Sequence, residues 1–271
     1  MHAEDNLEAI ADEAVAAITE HRQIQTFSSR PEGLTLVDAY RVAASIRARF
    51  EARGERMTGR KIGFTNREMW KLYGVHSPIW GYTTSRTTHD LETTTVVRAS
   101  DFVEPRIEPE IVFGLKAEPL PDMNETALLE CSEWVALSYE VVQSIFPDWK
   151  FAAADTVAAN GLHGALFVGA RHPVASRKAA WRHELAAFTL DLFCDGTLSE
   201  QGSGALVLDS PLHALRHLAE LTAHDADNPP PRAGDIISTG TLTLAMPVAA
   251  GQRWTTKVAG IPLEDVNVRF E

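Results

Sequence analysis

Two glutamates, Glu108 and Glu110, have the spacing of neighbours on one face of a β-strand. In the segment RIEPEIVFG, an extended chain directs both carboxylates to one side and directs Ile107 and Ile111 to the other. Like charges at this spacing repel each other, and a divalent cation between them relieves the repulsion. The alternative interpretation is a solvated outer face on which Arg106 pairs with the carboxylates.

A third carboxylate, that of Glu140, favours the metal. Glu140 lies in the apolar run VALSYEVV, where burying a lone charge costs free energy unless the charge has a partner. Three carboxylates suit Mg²⁺ or Mn²⁺ better than Zn²⁺ or copper, and both ions keep coordination positions open for a chelating substrate. We therefore predict a Mg²⁺ or Mn²⁺ cofactor that is held by Glu108, Glu110 and Glu140 and acts as a Lewis acid.

Basic residues supply further candidates. Lys61, in the predicted strand GRKIGFT, could reach into a pocket, where it would bind a substrate carboxylate or donate a proton. A structural lysine is an equally good interpretation of that position. His213 and His217 have the spacing of a helical metal pair, but no third ligand is evident, so we do not expect a metal there.

Composition places the chain among folded globular proteins. Its 271 residues are 45% hydrophobic and 23% charged, which is enough to bury one sizeable core. The formal net charge of −12 would repel a nucleic-acid backbone, and no stretch approaches the length of a membrane span. Since a signal-peptide pattern is also missing, we expect a cytoplasmic protein that binds neither nucleic acid nor membrane. Cys131 and Cys194 are expected to stay reduced.

Helices must form the N-terminal portion of the chain. Residues 6–21 carry an apolar stripe at helical spacing. A second helix begins at Thr35, where Asp38 three residues later makes a capping box, and it ends at Gly54.

Strands must then position the three glutamates. From residue 59 onward the chain consists of short β-rich runs, with a lone helix predicted among them at 211–222. We predict an α+β fold in which a helical N-terminal portion, 1–58, leads into a mixed-β catalytic domain, 59–271. The predicted strands are RKIGFT, TTTVVR, RIEPEIVFGL, LSYEVV, HGALFVG, AFTLDLFCDG, GDIISTG, RWTTKVAG and DVNVRF.

Five blocks, in order, resemble the hydratase/decarboxylase branch of the fumarylacetoacetate hydrolase superfamily, the 2-keto-4-pentenoate hydratases and 4-oxalocrotonate decarboxylases. The resemblance covers roughly residues 34–270, and the PRIEPEI block together with the later ones makes it specific. The blocks are GRKIGFTN, GVHSPIWGY, PRIEPEIVF, EVVQSIFPDWKFAAADTVAANG and RAGDIISTGTLTLAMPVAAGQRW.

The resemblance implies a fold of mixed β-sheets rolled around a pocket, and a metal held by Glu108, Glu110 and Glu140. It implies that the carboxylate and 2-oxo group of a small 2-oxo acid chelate this metal, with Lys61 as the pocket lysine. Thr239 and Gly240 fall where the family contacts substrate. The resemblance also implies a homo-oligomer.

The chain departs from the family pattern at three places. Where relatives read ADNAS, it has Ala159, Asn160, Gly161 and Leu162, so an acid and a serine are missing from the pocket wall. A GHP triplet before the late helix is replaced by residues 209–211. Ile79 stands where hydratases carry an aspartate, and an apolar residue there is more like the decarboxylases, which need not position a water.

We therefore predict a metal-dependent lyase of aromatic-compound catabolism that acts on a 2-oxo or 2-hydroxydienoate acid, with a slight preference for decarboxylation. One alternative is a C–C hydrolase of an acylpyruvate, of the maleylpyruvate or fumarylpyruvate type, in which His163 would activate the water. The other is a non-catalytic subunit that binds a 2-oxo acid. Substrate length, a second carboxylate and the choice between the two metals stay open.

Overall fold

Two mixed β-sheets and seven α-helices make up the described part of the chain, a computed structural model of residues 4–271 without the side chains of Leu72 and Tyr73. The helices are α1 (Glu4–Thr19), α2 (Leu36–Ala52), α3 (Trp70–Tyr73), α4 (Glu125–Cys131), α5 (Ala153–Ala158), α6 (Lys178–Ala187) and α7 (Pro211–Thr222). The strands are β1 (Met57–Gly63), β2 (Ile79–Thr84), β3 (Thr88–Asp90), β4 (Val96–Val97), β5 (Arg106–Leu115), β6 (Ser132–Val142), β7 (His163–Val168), β8 (His172–Pro173), β9 (Thr189–Cys194), β10 (Thr197–Ser203), β11 (Ile236–Thr241), β12 (Met246–Pro247), β13 (Arg253–Ala259) and β14 (Asn267–Phe270).

The larger sheet has nine strands and carries the three glutamates. Its order is β2-β1-β11-β5-β6-β7-β3, while β12 pairs with β5 and β8 pairs with β6. The β1/β11 and β3/β7 pairs are parallel and the other pairs are antiparallel. A smaller sheet has the order β10-β9-β13-β14-β4. The α+β class with mixed sheets is thus confirmed.

Strand β5 separates the main core from the face that carries the glutamates. Ile107, Ile111 and Phe113 are fully buried on one side, in the core that also contains residues of the smaller sheet and of α6 and α7. Glu108 and Glu110 alternate with these residues along the strand and therefore point to the opposite side.

The N-terminal helices pack against elements that lie much later in the sequence. Helix α2 is capped as predicted, because the Thr35 hydroxyl accepts a hydrogen bond from the Asp38 amide at 3.1 Å. Its buried Ile46 shares a second core with Ile79 and Leu162. One core therefore contains residues of both predicted parts. The division of the chain into two domains at residue 58 stays a prediction.

One prediction about the elements is wrong. Helix 211–222 is not alone among the later strands, because α6 lies between β8 and β9. That helix was missed since Trp181 and Leu185 are the only buried residues of its ten. Within residues 4–271, no helix is both long and apolar enough to cross a membrane.

Candidate active site

Adjacent strands bring the three glutamates together. Glu108 lies directly opposite Glu140 in the antiparallel β5/β6 pair, and Glu110 is the next residue on the same face of β5. One carboxylate oxygen from each residue lies within 4.8 Å of the others. Glu110 and Glu140 are completely buried, so the alternative of a solvated outer face is excluded for them.

Strand β11 fixes the orientation of Glu110. One oxygen, Oε2, accepts hydrogen bonds from the Ser238 hydroxyl and from the Gly240 amide, the latter at 2.9 Å. The other oxygen, Oε1, is buried without a hydrogen-bond partner. Gly240 has a φ of +99°, and a Cβ there would lie 2.0 Å from the Thr65 hydroxyl oxygen, so this amide can be supplied only by glycine.

His163 and Lys61 contact the two oxygens of Glu140. Nδ1 of His163 lies 2.7 Å from Oε1, and Nζ of Lys61 lies 3.1 Å from Oε2. The other ring nitrogen of His163, Nε2, lies 2.9 Å from the Thr87 hydroxyl. Because a carboxylate only accepts hydrogen bonds, this arrangement puts the imidazole proton on Nδ1.

The prediction that His163 activates a water is not supported by this geometry. The residue is buried, both of its ring nitrogens have partners, and it does not line the cavity beside the glutamates. His163 therefore acts on Glu140, which it orients, and it has no direct access to a substrate.

The electrostatics of the cluster fit a divalent cation. Burial raises the pKa of Glu108 to about 7, and burial together with the neighbouring carboxylates raises the pKa of Glu110 well above its ordinary value. Burial also opposes the charge of Glu140, but Lys61 and His163 outweigh it and lower the pKa of that carboxyl. Among the residues that the structure describes, Lys61 is the one ammonium that lies against this cluster, at 3.1 Å from Glu140 Oε2, and the buried Oε1 of Glu110 lacks a hydrogen bond. A cation with oxygen preference would supply both the missing positive charge and the missing contact.

Lys61 keeps its positive charge. Burial alone would favour the neutral amine, yet the charges of Glu140, Glu108 and Glu110 outweigh it and raise the pKa of Lys61. Its Nζ also donates to the carbonyl of Gly161 at 3.1 Å. At neutral pH this side chain is a hydrogen-bond and proton donor, and it cannot serve as a base.

An apolar cavity of about 260 Å³ opens beside Glu108 and Lys61. Ile79 and Leu162 line it, as expected for residues that contact substrate. Further apolar residues that were not predicted also line it, among them Phe64, Trp149, Phe151, Leu244 and Met246.

Thr239 and Gly240 do not line this cavity, contrary to the expectation that both contact substrate. The Thr239 hydroxyl donates to the carbonyl of Ile111, and the Gly240 amide holds Glu110. Thr241, the next residue, lines the cavity in their place.

Arg106 is the cavity residue that sequence reasoning considered only as a partner for the glutamates. Its position two residues before Glu108 already placed it on the metal face of the strand.

His213 and His217 lie on α7 and contact Glu125 and Glu220, respectively, so neither joins the glutamate cluster.

Comparisons with known proteins agree with this architecture, although no protein-family model matches the chain. A 2-hydroxyhexa-2,4-dienoate hydratase of Comamonas testosteroni is 30% identical over 246 residues, 90% of each chain. The structure of 4-oxalocrotonate decarboxylase from Pseudomonas putida G7, complexed with magnesium and adipate, has a TM-score of 0.90 at 28% identity. That match covers 100% of this chain and 99% of the other.

The wider fold extends beyond these two proteins. A fumarylacetoacetate hydrolase family protein of yeast has a TM-score of 0.55 at 15% identity, over 78% of this chain and 91% of its own, and shares the fold alone. Similarity over nearly the whole chain to a hydratase and to a decarboxylase confirms what the five blocks indicated. The chain belongs to the family of the 2-hydroxydienoate hydratases and 4-oxalocrotonate decarboxylases, and it shares its fold with the fumarylacetoacetate hydrolase family.

Proposed function

We propose that this protein is a Mg²⁺- or Mn²⁺-dependent lyase that acts on a small 2-oxo or 2-hydroxydienoate acid in the breakdown of aromatic compounds. The observation that carries the proposal is the buried cluster of Glu108, Glu110 and Glu140 at one end of an apolar cavity, with charged Lys61 beside it. The names of its relatives, and the magnesium and adipate in one of them, support the same assignment.

The three glutamates would hold the metal, and the chain supplies the rest of the environment. When bound, the cation would stabilise the negative charge that develops on the 2-oxo oxygen during the reaction. Lys61 can donate a hydrogen bond or a proton to a substrate oxygen. Ile79, Leu162 and Phe151 keep bulk water away, so that these charge interactions act at low dielectric.

Decarboxylation is the reaction that the cavity supports best. The bond to a distal carboxylate breaks, its electron pair enters the conjugated 2-oxo system, CO₂ leaves, and a proton is added to the resulting dienolate. Ile79 lies in the cavity wall as an apolar residue where a hydratase would position water. Identities of 30% to a hydratase and 28% to a decarboxylase do not separate the two reactions, so this choice rests on the cavity.

An ultraviolet assay tests the proposal. Purified protein with Mg²⁺ or Mn²⁺ is mixed with 2-oxohex-3-enedioate or with 2-hydroxypenta-2,4-dienoate, and CO₂ is measured in parallel. We expect metal-dependent CO₂ release from the first substrate, abolished by a chelator. Loss of the second substrate without CO₂ would identify a hydratase instead.

Two other outcomes would point to different functions. Cleavage of maleylpyruvate or fumarylpyruvate, with silence on both dienoates, would identify a hydrolase. Metal and pyruvate binding without any turnover would identify the non-catalytic subunit. The hydrolase gains no support from the geometry, since His163 does not line the cavity.

A further inference from the structure

A second cavity, of about 420 Å³, lies on the opposite face of strand β1 from the glutamate cluster. Lys61 points to the cluster, and Arg60, its neighbour in the strand, therefore points the other way. In the β1/β2 pair Arg60 lies directly opposite Tyr82, and both residues line this second cavity. The two cavities share no lining residue, so the second one is a separate site.

Four arginines line the second cavity, and they come from separate parts of the chain. Arg47 lies on α2, Arg56 lies just before β1 and Arg60 within it, while Arg232 precedes β11. In the described part of the chain, none of the four forms an ion pair with a carboxylate within 4.0 Å. Positive charge is in excess, because the carboxylates in the lining are only those of Glu51, Glu55 and Asp235.

Arg60 is the most deeply buried of these cations. Its side chain belongs to a residue that is 3% exposed, and its guanidinium carbon lies 3.7 Å from the centre of the Tyr82 ring. Nη1 and Nη2 donate to the carbonyls of Gly59 and Pro229, both at 3.1 Å, whereas Nε is buried without a hydrogen-bond partner. Carbonyls accept hydrogen bonds but carry no net charge, so a buried guanidinium of this kind still favours an anion.

The charges around Arg60 do not supply that anion. Burial is the largest cause of the lowered pKa of Arg60, and the like charges of Arg47 and Arg232 add to it, whereas Tyr82 and Asp235 oppose it. Asp235 is already engaged elsewhere, because its Oδ2 accepts a hydrogen bond from the Arg232 amide at 3.0 Å. Nε of Arg47 is a second buried donor without a partner. A bound oxyanion would provide both the countercharge and the acceptors.

We propose that this second cavity binds a phosphate group, held by the guanidinium groups of Arg47, Arg60 and Arg232. A phosphate group carries about 1.5 to 2 negative charges at neutral pH and three acceptor oxygens, so it can contact guanidinium groups that come from three different elements. Inorganic phosphate and a small phosphomonoester share this chemistry. The volume of about 420 Å³ lies within the range of about 300–1,000 Å³ that is usual for small-molecule sites, so an ester also fits.

Calorimetric titration with inorganic phosphate tests the proposal and does not depend on lyase activity. It is carried out on the Mg²⁺-loaded protein and on chelator-treated protein, and we expect one phosphate per chain with the same Kd in both. The metal should have no effect because the glutamate cluster lies on the other face of β1. Binding that requires Mg²⁺ would place the anion at the glutamates and overturn the proposal.

Substitutions assign the binding to the arginines. Arg47→Gln and Arg60→Gln should each raise the Kd of phosphate at least about tenfold, because each removes a charge-assisted hydrogen bond. Since Arg60 is buried and its loss can unfold the chain, Arg47→Gln, at a half-buried position, decides the matter if Arg60→Gln shows no cooperative thermal transition. Arg269→Gln, at an exposed position on β14, removes the same charge elsewhere and should bind phosphate as the wild type does.

Further titrations distinguish the possible ligands. Glycerol 3-phosphate that binds more tightly than inorganic phosphate would identify a phosphomonoester as the ligand, and an equal or weaker affinity would identify free phosphate. Succinate that binds as tightly as phosphate would overturn the assignment to a phosphate group. An unchanged Kd of phosphate in Arg47→Gln, or no phosphate binding by the wild-type protein, would overturn the site.

Discussion

The two oxygens of Glu140 have different neighbours. His163 contacts one of them and does not line the cavity, so we expect it to position Glu140 and not to react with substrate. Oε1 is occupied by the imidazole, which is itself fixed by Thr87. Oε2, by contrast, lies 3.1 Å from the ammonium of Lys61. Groups that hold a metal ligand in this way fix its orientation and raise the affinity of the site for the metal.

His163→Leu should therefore weaken Mg²⁺ binding by about 10- to 100-fold, and excess Mg²⁺ should restore most of kcat. The measurement is activity as a function of Mg²⁺ concentration, with His224→Leu, an exposed histidine, as the matched control. A loss of kcat that saturating Mg²⁺ does not restore would show that His163 takes part in the chemistry.

Glu108 gives the metal-free protein a characteristic pH dependence. Burial raises its pKa from 4.5 to about 7, so the folded state keeps the proton to a higher pH than the unfolded chain does. The stability contributed by this group is therefore present below about pH 4.5 and is lost as the pH rises through about 7. Mg²⁺ must replace that proton in order to bind.

The rise in Tm that Mg²⁺ causes should accordingly be larger at pH 8 than at pH 5.5. Thermal unfolding of chelator-treated protein, with and without added Mg²⁺ at the two pH values, measures it. Glu108→Gln should reduce the difference between the two pH values. The same Mg²⁺-induced rise at both pH values in the wild-type protein would argue against these carboxylates as the binding site.

Individual site residues could be predicted from the sequence where the pattern that identifies them is local. Two glutamates on alternate positions and a third in an apolar run were enough to predict the cluster, because strand periodicity fixes which side chains share a face. The roles of His163, Thr239 and Gly240 could not be predicted in this way, since they depend on which side chain lies opposite across strands far apart in the sequence.

At the scale of elements, Asn160 joins strand β2 to the short 3₁₀ turn at Asn160–Leu162, which carries two cavity residues. The Asn160 side chain makes the two backbone hydrogen bonds that a neighbouring strand would make with Tyr82. Its Oδ1 accepts from the Tyr82 amide at 2.8 Å, and its Nδ2 donates to the Tyr82 carbonyl at 2.9 Å. Its own backbone has a positive φ of 54°. This turn places the Gly161 carbonyl on Lys61.

Asn160→Asp should lower the free energy of unfolding by about 1–3 kcal/mol, because the buried Tyr82 carbonyl loses its donor and faces a negative charge. Urea unfolding measures this change, and kcat should fall as the turn shifts away from Lys61. Asn124→Asp is the control, since the helix cap formed by Asn124 needs only an acceptor. A stability within about 0.5 kcal/mol of the wild-type protein would contradict the role given to Asn160.

The bounds of helices and strands with a strong apolar periodicity were predicted well, whereas strands with a polar sequence were missed. Strand β5 and helix α7 have the predicted bounds, because each carries a long apolar pattern between clear turn residues. Strand β10 was missed because its sequence, TLSEQGS, is polar and only partly buried, as suits the edge of a sheet. Pairing partners such as β1 with β11 are set by tertiary packing, which no local pattern encodes.

At the scale of the whole molecule, the N-terminal helices and the strand-rich part share one core. Phe27 is buried and packs edge to face against Phe146 with ring centres 5.8 Å apart. Ile79, in the cavity wall, belongs to that same core. The helical portion is thus expected to support the cavity and to unfold together with it.

Unfolding followed by far-ultraviolet circular dichroism and by tryptophan fluorescence should therefore give one coincident transition. Phe27→Ala should move both signals together, by about 3–5 kcal/mol, since it leaves a cavity in the shared core. Leu36→Ala, at a partly exposed position on α2, is the control and should have little effect. Separate transitions, with helical signal lost first, would instead support two independent domains.

The metal site that we propose at Glu108, Glu110 and Glu140 is tested most directly by titration with Mn²⁺, followed by electron paramagnetic resonance. The wild-type protein should bind one Mn²⁺ per chain, and glutamine at any of the three positions should weaken binding at least about tenfold. Glu133→Gln, at an exposed position on the same strand as Glu140, should bind as the wild type does. Full Mn²⁺ affinity in both Glu110→Gln and Glu140→Gln would contradict the site.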